Sequence, residues 1–431
     1  MSEITDLSDN SIDTYSYRRD FDDKSRIGSA NLYHKHSFSA SELELLLQFH
    51  LSSNRNQVDQ LEQGPEDIIY TYDFRNQRLG GSFTPSYRFS LRDFNWKVGM
   101  NTNYQQNKID RREDNRSQFT HKEWTEYAYI DVNHNWRHFS LAASAGMEVV
   151  FRSVEGRHDR YYSFRPVVNL NYRFNARHSL TLNYNMQSTA PDVVQLNPYN
   201  TSSDTLSVTT GNPYLKPYRT QRTRLSYTLA ARGFHLEPSV TYRQIGDQIV
   251  STGEETSEGY IQSLANNGKS KLWTAGAALR YTIRGVGFVG IRGHWNRISF
   301  PVSGERDSYW EGLINWGLNF QRWGLSGYYG LPRYSYAMYK QGKSRSESWC
   351  TLTYSASDRV DLSVAMRYIG LNSKIQNWTE MSGYSYYYEN RFTNRGNIVM
   401  IGIRYKIQNK KPERSVKKLE QIDKGFRLIR E

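Results

Sequence analysis

Along most of this chain apolar and polar side chains alternate with a period of two, the period of a β-strand and not of a helix. Phe164, Pro166, Val168, Leu170, Tyr172 and Phe174 share one strand face, while Arg165, Asn169, Asn171 and Arg173 fall mainly on the other. After a short break Leu180, Leu182, Tyr184 and Met186 alternate with Thr181, Asn183, Asn185 and Gln187. Asn175-Ala176-Arg177 between the two runs reads as a tight turn joining antiparallel strands.

The unit recurs downstream. Leu225, Tyr227 and Leu229 lead through Ala231-Arg232-Gly233 into Phe234, Leu236, Val240 and Tyr242, and Trp273 to Ile283 turns at Arg284-Gly285 into Phe288 to Ile298. Further hairpins turn at Gln321-Arg322 and near Ser357-Asp358-Arg359, and the last strand places Val399, Ile401, Ile403 and Tyr405 on one face. Longer polar connections are expected at roughly 54–78, 107–121, 188–217, 246–268, 334–345 and 371–390. Short turns therefore alternate with long loops, the arrangement of a closed antiparallel sheet with short periplasmic turns and long outer loops. A soluble sandwich or propeller would also alternate, but strands of ten to fifteen residues exceed the usual soluble mode of about five to six.

Counting from Ala30–Phe38 and Leu43–Ser53 to Asn397–Tyr405 gives about seventeen strands. With an odd number the first and last strands point the same way, so the chain is expected to begin in an outer loop. The expected fold is all-β, an antiparallel transmembrane β-barrel. Residues 1–29 read as an outer loop or truncated strand region, 30–405 as barrel strands, and 406–431 as a basic periplasmic tail.

Composition agrees with a single-layer wall. Only 37% of residues are hydrophobic, yet 14% are aromatic, among them 33 Tyr and 10 Trp. Disordered chains lack aromatics, so this chain folds while spreading its apolar residues thinly. No apolar run approaches the roughly 18 residues of a spanning helix, but outer-membrane strands need only about 9–11 alternating residues. The formal charge of +13 is mixed with acids along the chain, which places Lys and Arg in loops and a wet lumen; no nucleic-acid partner is expected. Cys350 is the single cysteine and forms no internal disulfide. The first twenty residues carry no charged-then-apolar export signal, so either an N-terminal part precedes Met1 or the chain is soluble.

The stretch from Ala190 to Pro217, APDVVQLNPYNTSSDTLSVTTGNPYLKP, resembles TonB-dependent outer-membrane receptors of the Bacteroidetes type. In that family a Leu-x-Pro-like segment and then Gly-Asn-Pro-x-Leu-x-Pro connect two mid-barrel strands. Leu196, Pro198, Tyr199, Gly211, Asn212, Pro213, Leu215, Lys216 and Pro217 fill those places. Pro213 and Pro217 restrict the backbone and Gly211 permits a turn with positive φ, so a rigid brace at a strand entry is expected here in preference to a ligand contact. The resemblance implies a 22-stranded barrel, of which 16–17 strands are present here, filled by an N-terminal plug and energised through TonB. A signal, the plug, the TonB-contact segment and roughly five strands are then expected upstream, and TonB would be met only through that region.

No catalytic arrangement stands out: there is no Gly-x-Ser-x-Gly, no His-Glu-x-x-His, no phosphate loop and no Cys-x-x-Cys. Neither an enzyme nor a cofactor is expected. His34 and His36 share a strand face, but two ligands fall short of a metal site. Glu44, Gln48 and His50 suit a wet lumen. Tyr384, Tyr386, Tyr387 and Tyr388 form the densest aromatic cluster, which reads first as an interface girdle running into a loop; in the alternative reading Tyr384, Tyr386 and Tyr387, with Trp378, are the candidate ligand contacts, and the loop from Arg333 to Lys343 has the same two readings. The expected function is an outer-membrane receptor or transporter that binds an extracellular ligand at its outer loops. The alternative is a non-transporting barrel acting as an adhesin or as a scaffold for a surface lipoprotein. Membrane lipid and lipopolysaccharide are the surroundings in either case.

Overall fold

The computed structural model describes residues 2–5, 12–63, 68–111, 117–199, 207–256, 259–344, 346–368, 374–381, 384–391 and 398–406. The expected basic tail falls, apart from Lys406, outside the described residues. A short β1 (Ser2–Thr5) precedes the long strands β2 (Ile12–Ser37), β3 (Ser41–Gln63), β4 (Ile68–Leu91), β5 (Phe94–Arg111), β6 (Ser117–Asn135) and β7 (Phe139–Val154). There follow β8 (Arg157–Phe164), β9 (Val167–Asn175), β10 (His178–Thr189), the helical turn α1 (Val193–Leu196), β11 (Ser207–Thr209), β12 (Tyr218–Ala231), β13 (Phe234–Thr256) and β14 (Gly259–Ile283). The chain continues through β15 (Gly287–Ser299), β16 (Arg306–Phe320), β17 (Trp323–Gly330), β18 (Tyr334–Ala337) and β19 (Lys340–Lys343). It ends with β20 (Glu347–Ser355), β21 (Val360–Arg367), β22 (Lys374–Met381), β23 (Tyr384–Arg391) and β24 (Ile398–Tyr405).

Twenty strands form one sheet. β1 and β11 are short additions to it, and β8 and β9 are one strand whose ladder to β7 keeps register across the break at Arg165-Pro166, where proline has no N–H to give. Seventeen strands therefore cross the wall, each antiparallel to the next. The turns are tight on one rim: Arg232-Gly233, with φ of 48° and 88°, is the type of turn whose twist matches two-residue hairpins. Asn175 Oδ1 closes the β9–β10 turn by accepting from the N–H groups of Arg177 and His178 at 2.8 and 3.1 Å.

The alternation read from sequence is the alternation of the wall. Leu141, Leu170, Leu182, Leu225, Val240, Ala275, Trp295 and Trp310 stand side by side across eight strands. Another row runs Phe320, Trp323, Tyr354, Leu362 and Ile403. These rows point outward: Ile403 is 76% exposed and Trp310 65%, and Ile401, two residues before Ile403 on the same face, 83%. A water-soluble protein would bury such an array, and lipid is the solvent it fits. The aromatic rows Phe234–Tyr281 and Tyr242–Trp273 stand eight residue steps apart on β14, roughly 26 Å along a tilted strand, the scale of the ~25 Å apolar band of an outer-membrane wall.

The opposite face is polar and internally paired. Arg165 binds Glu148 and Arg224 binds Glu237, each at 2.6 Å. Thr274 Oγ1 donates to Asn296 Oδ1 at 2.7 Å, and Asn296 donates on to Glu311 at 3.3 Å. Glu44, Gln48 and His50 are half-buried, Gln48 donating to Asn31 at 3.3 Å.

Three of the expected long connections are largely strand. The ladders of β3 with β4, β5 with β6 and β13 with β14 run on through most of 54–78, 107–121 and 246–268. Residues 12–29 likewise belong to β2. Beyond the bilayer both faces of a sheet meet water, so the apolar–polar contrast fades although the backbone ladder continues. Among the described residues no ladder joins β2 to β24. Both run from the long-loop rim to the short-turn rim, as the odd strand count requires.

Candidate ligand-binding site on the outer rim

The dry parts of the molecule lie on the long-loop rim. One cluster is built by the segment between β10 and β12: Leu196 and Leu215, 0% and 1% exposed, pack on Phe119 of β6 and Val154 of β7, with Ile109, Ile249 and Leu264 around them. The sequence signal for α1 is the spacing of Asp192 and Gln195. Asp192 and Gln195 form a capping box, Asp192 Oδ1 accepting from Val194 N–H at 3.2 Å and Gln195 Oε1 from Asp192 N–H at 2.9 Å.

The two halves of the family segment meet here. Gly211 N–H donates to Asn197 O at 2.8 Å and Asn212 N–H to Gln195 O at 2.7 Å. Asn212 Nδ2 reaches Leu264 O on β14 at 2.7 Å, and Asn266 holds Lys216 through both backbone groups, at 2.7 and 2.9 Å. Pro213 sits second in a turn that Leu215 N–H closes onto Asn212 O at 3.3 Å. Gly211 does not adopt positive φ; glycine is required there because a Cβ would stand 2.5 Å from Gln195 O. Beneath the segment Arg152, 2% exposed, donates to Leu215 O and to Tyr161 Oη.

The second cluster supports a cavity. Met338, at the tip of the β18–β19 hairpin, is 3% exposed and packs with Val250, Ile298 and Phe300. That anchors a separate four-stranded sheet in the order β18-β19-β22-β23, made from two loops that lie far apart in sequence. On one face Tyr336, Gln341, Trp378 and Tyr387 form a cross-strand row. The rings of Trp378 and Tyr387 lie 5.5 Å apart, and Tyr387 Oη donates to Glu389 at 2.8 Å. Between this sheet and residues 300–307 lies a cavity of about 190 Å³ lined by Tyr336, Gln341 and Trp378 and by Glu305, Asp307 and Lys340. Gly304, with φ of 79°, folds the 300–305 loop so that Phe300 N–H donates to Glu305 O at 2.9 Å. Glu305 Oε2 accepts from Ser303 Oγ at 3.0 Å and from Tyr339 N–H at 3.3 Å. Burial, with a hydrogen bond to the Asp307 carboxylate, pushes the Tyr336 phenol up to about 12, so it stays a neutral donor.

Of the candidate contacts, Trp378 lines the cavity and Tyr387 flanks it, while the side chains of Tyr384 and Tyr386 fall outside the described residues. Glu305, Asp307, Tyr336 and Lys340 were not picked out as contacts from sequence; tyrosine density in 334–339 marked only the loop. His34 and His36 lie on an exposed strand with ring centroids 6.5 Å apart. Among the described residues no three His, Cys, Asp or Glu side chains gather as a metal ligand set.

Comparison with known proteins places this architecture. Over 88% of its length the chain superposes on the ferripyoverdine receptor of the outer membrane of Pseudomonas aeruginosa, with TM-score 0.62 and 13% identity, spanning 56% of that chain. It covers 90% of itself and 68% of the ferric yersiniabactin uptake receptor FyuA from Yersinia pestis, with TM-score 0.52 and 12% identity. The copper transporter OprC matches over 80% of this chain and 68% of its own, with TM-score 0.57 and 11% identity. Among curated proteins no relative matches. The model of the outer membrane protein beta-barrel family matches residues 19–405. With outward apolar rows, a polar inner face and that match over most of its length, the chain belongs to the outer membrane protein beta-barrel family and resides in the cell outer membrane.

Proposed function

We propose that this chain is the barrel portion of an outer-membrane receptor that captures a small extracellular ligand at its outer rim and admits it along the polar lumen. In the full-length protein uptake is driven through TonB, by way of a region upstream of the strands described. The observation that carries the reading is the cavity beneath the β18-β19-β22-β23 sheet, which joins aromatic faces with charged groups on the rim that meets the medium. A lumen wall of Arg–Glu pairs and hydroxyl and amide side chains offers a wet path inward. The solved structures that share the fold include receptors for ferric yersiniabactin and ferripyoverdine and a copper transporter, which supports solute entry as the general task. The described parts of segment 190–217 are a structural brace in this reading: Val193, Leu196, Tyr199 and Leu215 pack in a dry cluster, and the N–H groups of Gly211, Asn212 and Lys216 are bound within the segment and to β14.

The test is accumulation of labelled solutes by cells with and without the intact protein, in the presence and absence of a protonophore. Energy-dependent accumulation that disappears with the protein is the expected result. Binding or adhesion without accumulation would overturn transport and favour an adhesin or a scaffold for a surface lipoprotein.

A further inference from the structure

The cavity on the outer rim has a size, a charge balance and a set of surfaces that together narrow its occupant. We infer that it receives one uncharged sugar ring, the terminal residue of an oligosaccharide; the assignment rests on the receptor reading above and names its substrate class.

Size comes first. At about 190 Å³ the cavity lies below the about 300–1,000 Å³ of pockets that enclose drug-sized, multi-ring ligands, which suits a single saturated ring. Charge comes second. Glu305 and Asp307 are balanced by Arg306 and Lys340, so the lining has no net sign with which to select an anion or a cation. What it does offer is alternation of strong acceptors and donors. Each hydroxyl of a sugar donates once and accepts as well, and carboxylates next to ammonium, guanidinium and amide groups answer both needs with charge-assisted bonds.

The third feature is an aromatic wall. Trp378 lines the cavity with Tyr336, whose ring stacks on Tyr309 at 5.0 Å. The indole of Trp378 is flat, apolar and polarisable and matches the C–H face of a pyranose, while Tyr336, held by that stacking, and the rim groups answer its hydroxyls. The surfaces are also held in advance. Met338 and Phe300, each 3% exposed, lock the hairpin to the barrel wall, and Lys340 Nζ is held 2.9 Å from Ser251 Oγ. A preformed site loses less freedom when its ligand arrives.

The experiment uses the intact receptor in detergent, with saturation-transfer NMR and calorimetry. The probes are methyl glycosides of glucose, galactose, mannose and N-acetylglucosamine, purified lipopolysaccharide, and a ferric hydroxamate. At least one glycoside should saturate the protein. Trp378→Ala should weaken it about tenfold or more, and Trp378→Phe, which keeps a flat face, by no more than about threefold. Asp307→Asn should weaken it about fivefold or more. Heat-modifiable electrophoretic mobility reports folding, and if Trp378→Ala loses it, the other two variants decide. Saturation by free glycosides places the sugar in the medium, and saturation by lipopolysaccharide alone places it in the membrane's own outer leaflet; either supports a sugar-ring site. Binding of the ferric hydroxamate with no glycoside or lipopolysaccharide would overturn the assignment while leaving a receptor in place. Sugar binding untouched by all three substitutions would overturn the location. Absence of any ligand together with absence of energy-dependent accumulation would remove the receptor reading itself.

Discussion

A methyl group added at Gly211 would stand 2.5 Å from Gln195 O and 2.6 Å from Asn197 O, both backbone atoms held by their own hydrogen bonds. Neither can give way cheaply, so Gly211→Ala is expected to destabilise the intact protein by about 1–3 kcal/mol. Gly293 on β15 is the contrast, since its Cβ would meet nothing within 4 Å; Gly293→Ala should change stability by less than about 0.5 kcal/mol. Urea unfolding in lipid vesicles, read by electrophoretic mobility, compares the two, and equal effects would remove the close-packing account. That Gly211 matters was legible in the sequence, from its place before Asn212-Pro213. Why it matters was not, because the atoms that exclude a side chain arrive from residues 195 and 197 across the 200–206 segment. Arg152 was not legible at all. Its partner Leu215 O lies 63 residues away, and nothing in the local pattern of β7 sets one inward arginine apart from another.

At the scale of the strand, one face is lipid-facing and the other wet, and substitutions should report the difference. Ile401 and Ser363 lie on neighbouring strands, β24 and β21. Ile401 is 83% exposed on the outer face, whereas Ser363 pairs with Gly402 on the inner one, donating to its carbonyl at 3.3 Å. Ile401→Arg is expected to cost about 2–4 kcal/mol near the bilayer midplane. Ser363→Arg, facing water, should cost no more than about 0.5 kcal/mol. Vesicle unfolding of the two variants checks this, and the reverse order would mean that the faces are assigned backwards. Turn positions such as Arg232-Gly233 and Asn175-Ala176-Arg177 were legible because glycine and asparagine carry their own backbone preferences. Arg92-Asp93, with φ of 50° and 65°, has no glycine to announce it. Strand extent above the membrane was not legible either: pairing there rests on backbone groups, which every residue supplies alike.

At the scale of the whole wall, β2 and β24 both run from the outer to the inner rim, and an antiparallel ladder cannot join two strands of the same direction. The seventeen wall strands among the described residues become a closed antiparallel cylinder only with an odd number added. Each edge group left in hydrocarbon costs several kcal/mol. Residues 12–406 produced alone are therefore expected to give no heat-modifiable, detergent-resistant monomer in vesicles. A stable inserted monomer of the seventeen strands would overturn this.

The wall was set by residue order. Period-two alternation and short polar turns each act within a residue or two of one another, so order along the chain is enough to carry them, and the strand count and direction follow. The site, by contrast, is made by packing. Trp378, Tyr336 and Asp307 come from three separate stretches of chain and meet because two outer loops pair into a sheet and Met338 anchors it on Ile298 and Phe300. Burial of a few apolar side chains on the rim chooses that meeting, and a choice made by packing between distant segments leaves no period in the sequence to read.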